Sequence, residues 1–183
     1  MSPEEIDRYR AYLMVLARQQ VLALPEAKLD TSGVVQQTLL DAHQAADVFA
    51  GLTSEQRLAW LRTALTRNLT DVYRRLFADK RDVRREEAIA VNVENSARGL
   101  DRWLAVNALS PSQETDRNEL LLRVALALSE LPDAQRIAIE GHYFERRPVS
   151  VIATEMGRTA AAVAGLLKRG LQTLRQHLAD AED

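Results

Sequence analysis

The chain has 183 residues, 46% of them apolar, and a formal net charge of −2 at pH 7; this length suffices for one ordinary domain or two small ones. It contains no cysteine, which excludes disulfides, thiolate zinc sites and cysteine nucleophiles. No apolar run approaches the roughly 18 residues of a membrane span, and the polar start lacks a signal-peptide core, so we expect a cytoplasmic protein.

Helical spacing of apolar residues dominates the N-terminal part of the chain. The first predicted helix covers residues 6–24, and a cap at residues 30–32 opens the second. Thr53 and Gln56 have the spacing of a capping box before a long helix that runs to Phe77. Three helices in this span predict a small bundle.

Residues 79–112 lose the regular spacing, because charged residues, Asn, Ser, Gly and Pro are mixed with few periodic apolar positions. We interpret this segment as a linker with partial structure, from which Trp103 and Leu104 can dock on another part of the protein. Helical spacing returns over residues 120–131, and Pro132 suits the first turn of the next helix. The chain has no strand-like run, so the predicted fold is all-α.

The C-terminal part has the pattern of a helix-turn-helix: a short helix, a turn at Gly157–Arg158, and a longer helix capped by Thr159. Apolar residues gather on one side of the longer helix, at Val163, Leu166, Leu167, Leu171, Leu174 and Leu178. The other side carries Arg158, Ala161, Gly165, Lys168, Arg169, Gln172 and Gln176. Small residues let a backbone enter a major groove about 12 Å wide, and basic residues contact phosphates. The alternative is a helical hairpin packed on another protein helix.

Charge is segregated along the chain. Residues 62–85 hold eight basic and three acidic groups, and residues 145–176 hold six and two. Residues 86–144, between these blocks, hold five basic and ten acidic groups. Because a polyanion responds to local potential, two basic blocks favour two separate contacts with nucleic acid. The alternative is chance segregation of charge on solvated helices.

These residues resemble a known family. "LSELPDAQRIAIEGHYFERRPVSVIATEMGRTAAAVAGLLKRGLQTLRQHL" closely resembles region 4 of bacterial sigma factors of the extracytoplasmic-function group. "LDTSGVVQQTLLDAHQA" looks like regions 2.1–2.2 of that group, and "AWLRTALTRNLTDVYRRLFADKR" like regions 2.3–2.4. The resemblance spans roughly residues 8–178. It implies a region 2 bundle over residues 1–80, a linker over 81–112 and a region 4 helix-turn-helix over 113–183.

The resemblance implies a protein that binds core RNA polymerase, through the beta-prime coiled coil and the beta flap, and directs it to promoters. The first domain of the family reads and helps melt the minus-ten element; the matching residues here are Arg67, Asn68, Asp71, Arg74 and Arg75. Of these, Asn68 can hydrogen-bond a base edge. The second domain reads the minus-thirty-five element, and the matching residues are Arg158, Thr159, Ala161, Ala162, Gly165, Lys168 and Arg169. The loop at 49–56 is a candidate pocket for a flipped base.

The sequence departs from the family in region 2.2, where the usual acidic pair is replaced by Gly33 and Gln37. The resemblance places polymerase docking at Val35, Gln36, Gln37 and Asp41. Loss of two carboxylates predicts weaker docking on a basic coiled coil. Phosphorylation of Thr31, Ser32 or Thr38 by a Ser/Thr kinase is one way to restore charge. The alternative is that Gln36, Gln37 and Asp41 dock as they stand. An anti-sigma protein is a further candidate partner.

Three other classes of protein remain as alternatives. An enzyme is least favoured, because His43, His142 and His177 have no metal-like spacing and no glycine-rich phosphate loop occurs. We therefore expect no catalytic residue, metal or cofactor. A helix-turn-helix regulator that acts without polymerase would bind duplex DNA by itself. An adaptor that binds only protein would show no salt-dependent affinity for DNA.

Overall fold

A computed structural model describes residues 2–23, 29–77, 83–107 and 117–180. Every regular element in these ranges is a helix and none is a strand, which confirms the predicted all-α class. The chain divides into two compact units, Met1–Ala97 and Arg98–Asp183. None of the helices among the described residues is long and apolar enough to cross a membrane.

The first unit contains four helices and the beginning of a fifth. These helices are α1 (Pro3–Ala23), α2 (Thr31–Gln44), α3 (Ala46–Ala50), α4 (Ser54–Leu76) and α5 (Val83–Asn107). Helix α2 packs against both α1 and α4. The core between these helices includes Tyr12, Leu13, Leu16, Leu61, Leu65 and Leu69, each almost fully buried.

The predicted caps of the first unit are present. An Asp30 carboxylate oxygen accepts from the backbone N–H of Gly33 at 2.9 Å and caps α2. The Thr53 hydroxyl accepts from the Gln56 N–H, and the Gln56 amide oxygen accepts from the Thr53 N–H, which completes the capping box of α4. These contacts satisfy N–H groups that a helix start otherwise leaves unpaired.

Three aromatic rings fix the end of α3. Phe49 is buried, and its ring lies edge-on to Tyr9 at 5.7 Å and to Trp60 at 5.6 Å between centroids. Such edge-to-face pairs add to the free energy of burial. Trp60, which helical spacing predicts to be a core residue, is half-buried against Phe49.

Helix α5 lies within the predicted linker, where the sequence led us to expect only partial structure. Its apolar residues Ile89, Val93, Leu100 and Leu104 are buried, and Trp103 is buried beside them, as expected of a docking residue. The division between the two units falls inside this helix, after residue 97. The sequence-based domain boundaries at 80 and 112 remain a prediction.

The second unit contains the remaining helices. They are α6 (Arg117–Glu130), α7 (Asp133–Ile139), a π-helical turn (Glu140–Phe144), α8 (Val149–Glu155) and α9 (Ala160–Asp180). Pro132 and Pro148 stand at the residue before α7 and α8, where a missing N–H costs nothing. Helix α9 packs against α6, α7 and α8.

Close packing of α9 on α7 depends on a glycine. A Cβ atom on Gly170 would lie 2.7 Å from Cδ1 of Ile139 and 3.3 Å from Cβ of Gln135. Ile139 is fully buried, so its methyl group has little room to move. This contact holds the C-terminal half of α9 against α7 and leaves the opposite face of α9 outward.

Candidate nucleic-acid interface

Helix α9 has two chemically distinct faces. Val163, Leu166, Leu167 and Leu174 are buried, and Leu171 and Leu178 are half-buried. The residues of the other face are exposed, apart from the half-buried Gly165: Arg158, Thr159, Ala161, Ala162, Lys168, Arg169, Gln172 and Gln176. The predicted division of apolar and small or basic residues between the two faces is therefore confirmed.

The turn before α9 presents this exposed face. Gly157 adopts φ of +60°, a left-handed conformation that favours glycine. The Arg158 N–H then donates to the Ala153 carbonyl at 2.8 Å. The Thr159 hydroxyl accepts from the Ala162 N–H at 3.1 Å and caps α9, as predicted. The turn thus joins α8 to α9 in the arrangement expected of a helix-turn-helix.

The basic groups of α9 are available to a ligand. Arg158, Lys168 and Arg169 form no ion pair with any described residue. Arg175, which the sequence interpretation missed, is also exposed and lies on the Lys168 side of the helix, two turns further on. The spacing of seven residues from Lys168 was the available signal. Three exposed cations along α9, with Arg158 in the turn before it, form a surface that attracts a polyanion.

The predicted minus-ten residues on α4 differ from the cations of α9, because most of them are bonded to other residues of the chain. Arg67 donates to an Asp41 carboxylate oxygen at 2.7 Å. Asn68 donates to the same oxygen at 2.9 Å and to the Thr38 hydroxyl at 3.1 Å. The two residues therefore tie α4 to α2 within the unit. The Asn68 amide is half-buried, and its N–H groups, which a base edge would require, already have acceptors.

Asp41 is the centre of this network, and only 15% of its side chain is exposed. Burial opposes its ionisation, but hydrogen bonds from Asn68, Gln37 and Arg67, together with the arginine charge, outweigh burial and lower the pKa of Asp41. The folded unit therefore favours the ionised form of Asp41.

Arg74 is held by a second carboxylate. Its Nε and one terminal nitrogen donate to the two oxygens of Glu86 on α5, at 3.0 and 2.7 Å. Asp71 lies 3.8 Å from the same guanidinium. Hydrogen bonding to Glu86, together with its charge, raises the pKa of Arg74. Arg75, the next residue, is exposed and has no ion pair with the described residues.

The predicted polymerase-docking residues differ in accessibility. Gln36 and Gln37 are exposed on α2. Asp41 is engaged by α4, as described above. Val35 is 1% exposed and lies in the core, so its side chain can support this surface but not touch a partner.

The three candidate phosphorylation sites also differ in accessibility. Ser32 is exposed and Thr31 is half-buried, both in the first turn of α2. Thr38 is fully buried, and its hydroxyl donates to the Val34 carbonyl at 2.9 Å while accepting from Asn68. A kinase would reach Thr38 only after this part of α2 opened.

The segment proposed for a flipped base borders a cleft of about 120 Å³. Its lining residues are Glu5, Ala42, His43, Ala46, Phe49, Ala50 and Arg57. Arg57 donates to the Phe49 and Ala50 carbonyls at 3.1 and 2.9 Å and lies over the Phe49 ring. The arginine thus fixes the wall of the cleft.

The described residues contain no group of three or more His, Cys, Asp or Glu side chains that could hold a metal ion. Nδ1 of His177 lies 2.7 Å from Glu130, and Nδ1 of His142 lies 3.3 Å from the Arg147 carbonyl. His43 is exposed on α2.

Comparison with known proteins found a similarity that lies in the second unit. Residues 121–174 match the family model described as sigma-70, region 4. The match begins in α6 and ends in α9, and so includes the helix-turn-helix. No curated protein and no solved structure matches the chain significantly. The second unit is therefore similar to region 4 of the sigma-70 family over the matched residues.

Proposed function

We propose that the chain is a sigma factor of the extracytoplasmic-function group, which binds core RNA polymerase in the bacterial cytoplasm and directs it to promoters. The observation that carries the proposal is the exposed basic face of α9, which forms no ion pair within the described part of the chain and lies mostly in the segment that matches region 4. Small residues at the start of this face allow the helix to enter a major groove, and the basic residues further on can contact the flanking phosphates.

In this proposal α9 contacts the minus-thirty-five element. Ala161, Ala162 and Gly165 have no long polar side chain, so sequence preference at this end of α9 arises from DNA shape and backbone contact. Arg158, Lys168 and Arg169 bind phosphates, and Arg175 extends the row.

The minus-ten element is assigned to α4. Arg74 and Arg75 are the phosphate ligands, with Arg67 and Asp71 beside them on the same helix. Asn68 can donate to a base edge only if it exchanges the Asp41 carboxylate or the Thr38 hydroxyl for the base, because its N–H groups are engaged.

The decisive experiment is run-off transcription with purified core polymerase on the DNA upstream of the protein's own gene. We expect a defined transcript that requires the chain. Replacing Lys168 and Arg169 by Ala should reduce it strongly, whereas replacing Arg102, an exposed arginine of α5, should not. A chain that stimulates no transcript on any promoter would refute the proposal.

A regulator that acts without polymerase is the second candidate. It is favoured by a contrast between the two helices. Arg67 and Arg74 of α4 are paired with carboxylates, whereas Lys168 and Arg169 of α9 form no ion pair with a described residue. A gel-shift assay with and without core enzyme separates the two candidates. A sigma factor gains promoter affinity when core enzyme is added; a regulator binds its duplex equally well alone.

We further propose that α2 docks on the beta-prime coiled coil and that its missing carboxylates weaken this contact. Gln37→Glu should then tighten binding to core polymerase, because Gln37 is exposed. Gly33→Glu is a poor test, since a Cβ at this position would lie 2.5 Å from the Asp30 carboxylate that caps α2. Gln36→Glu provides a second exposed position, and Gln37→Ala controls for loss of the amide.

Charge can also be supplied by a Ser/Thr kinase, for which Ser32 and Thr31 are the accessible candidates. A phosphate in the first turn of a helix is favoured by the helix dipole. Ser32→Glu and Thr31→Glu should then increase polymerase affinity, whereas unchanged affinity in both variants would rule out this form of control. An anti-sigma protein that covers the α2 or α9 surface is the other regulatory partner in the proposal.

A further inference from the structure

We propose that the Glu86 carboxylate competes with nucleic-acid phosphate for Arg74, so that the first half of α5 holds the α4 surface in a closed state of low affinity. The inference rests on the proposed role of α4 in binding nucleic acid. It adds an internal competitor on a helix that the sequence led us to treat as linker.

The geometry of the contact is that of a phosphate mimic. Nε and a terminal nitrogen of Arg74 donate to separate oxygens of Glu86, at 3.0 and 2.7 Å. A guanidinium uses the same two parallel N–H groups to bind a phosphate. Since these donors cannot serve both acceptors at full strength, nucleic acid must displace Glu86 to obtain them.

The competitor is held in place by the rest of α5. Ile89 and Val93 are 2% and 1% exposed, and Glu94 accepts from Arg62 on α4 at 3.0 Å. Ser96 donates to Gln19 on α1 at 2.5 Å. The backbone at Glu86 is therefore held by an anchored helix, so that only the side chain must be ordered to pair with Arg74.

The two partners differ in exposure. The Glu86 side chain is 13% exposed, whereas 49% of Arg74 is exposed. The guanidinium is thus accessible to an incoming phosphate, while the carboxylate stays sheltered beside it and repels that phosphate. Arg75, the neighbouring cation, has no such restraint among the described residues and can make the first contact.

The test compares Glu86→Gln with Glu87→Gln in the full chain. Glu87 is the adjacent residue of the same helix, is exposed, and forms no ion pair with the described residues. Both variants therefore change net charge equally, but only Glu86→Gln releases the Arg74 fork. Both carry Lys168→Ala and Arg169→Ala as well, so that α9 contributes little to binding.

Binding of a fluorescein-labelled single-stranded oligonucleotide, followed by anisotropy at low salt, gives the affinity. We expect Glu86→Gln to bind about 2–5-fold more tightly than Glu87→Gln, the size expected for release of one well-oriented surface ion pair. The gain should disappear when Arg74 is also replaced by Ala, and should shrink at high salt because of screening. Circular dichroism melting checks that each variant is folded.

Equal affinities of the Glu86 and Glu87 variants would overturn the inference, as would a gain that persists without Arg74. Its failure is distinguishable from failure of the proposed function. If the two variants bind equally but the wild-type chain supports polymerase-dependent transcription, only the proposed competition by Glu86 is refuted. If the gain depends on Arg74 but the wild-type chain supports no transcription with core polymerase, the competition is upheld and the proposed function is refuted.

Discussion

The side-chain amide of Asn68 donates to the Asp41 carboxylate at 2.9 Å, so that α4 is fastened to α2 at the surface where both helices were expected to bind partners. The same amide donates to the buried Thr38 hydroxyl at 3.1 Å. Position on a helix face predicted a residue that reads DNA, whereas the contacts describe a residue that also holds the bundle together. The two roles predict different consequences of mutation.

Asn68→Ala should lower the free energy of unfolding by about 1–3 kcal/mol, because it removes the donor to the buried Thr38 hydroxyl and one of the donors to the Asp41 carboxylate. Urea unfolding of the variant measures the loss. The double variant Asn68→Ala/Asp41→Ala should lose less stability than the sum of the two single losses, because either change alone removes the hydrogen bond between these residues. Gln36→Ala, on the exposed side of α2, serves as the control. Unchanged stability with altered promoter preference would instead establish a purely DNA-reading role.

Asp41 also makes the stability of the fold depend on pH. Its folded-state pKa lies below the ordinary value of 3.8, so its contribution is fully present above that value and is lost as the pH falls through the folded pKa. Asp41→Asn should therefore be less stable at neutral pH and should lose less further stability on acidification below about pH 4. Asp47→Asn, at an exposed position of α3, is the matched control for the loss of one carboxylate. Parallel acid limbs for the wild type and Asp41→Asn would contradict this assignment.

Two glycines of α9 should respond to alanine in opposite directions. At Gly170 the added methyl would meet Ile139 at 2.7 Å, and overpacking of a filled core costs about 1–3 kcal/mol. At Gly165 the nearest atom would be Nη1 of Arg169 at 3.4 Å, so the substitution should stabilise the helix by about 0.5–1 kcal/mol. Thermal unfolding of both variants measures the difference.

Gly165→Ala also tests whether the start of α9 approaches DNA, because its effect on duplex affinity can be measured. If the start of α9 enters a groove, the methyl should weaken duplex binding even though the fold is more stable. A variant that is both more stable and equally tight would show that the backbone at Gly165 does not approach DNA.

The parts of the fold that could be predicted are those governed by local chemistry. The Thr53–Gln56 box, the Asp30 and Thr159 caps and the two faces of α9 follow from spacing along one helix, and each was found where the sequence placed it. Helix α5 was underestimated because Ser96 and Gly99 occupy buried positions on its apolar face and interrupt the pattern. Their burial depends on tertiary partners, such as Gln19 for Ser96, that spacing does not reveal.

The same distinction holds for the candidate site. A sequence identifies which residues share a helix face, but the acceptors that occupy Arg67, Asn68 and Arg74 come from α2 and α5. Pairing between helices decides whether a cation is free, and this is a property of the packed unit. Arg175 was missed for a simpler reason: the predicted DNA contacts ended at Arg169, and the exposed face was traced through Gln172 and Gln176 without the arginine between them.

Salt dependence gives the most direct measure of the α9 surface. Each phosphate contact contributes about −0.9 to the slope of log K against log salt concentration for duplex DNA. Lys168→Ala, Arg169→Ala and Arg175→Ala should each reduce the slope by about 1 and weaken binding similarly on all sequences, because they neutralise backbone charge without reading bases. Anisotropy titrations of a labelled duplex at several salt concentrations provide the slopes. Arg102→Ala should leave the slope unchanged; an equal reduction there would mean that overall charge, and not the α9 face, governs binding.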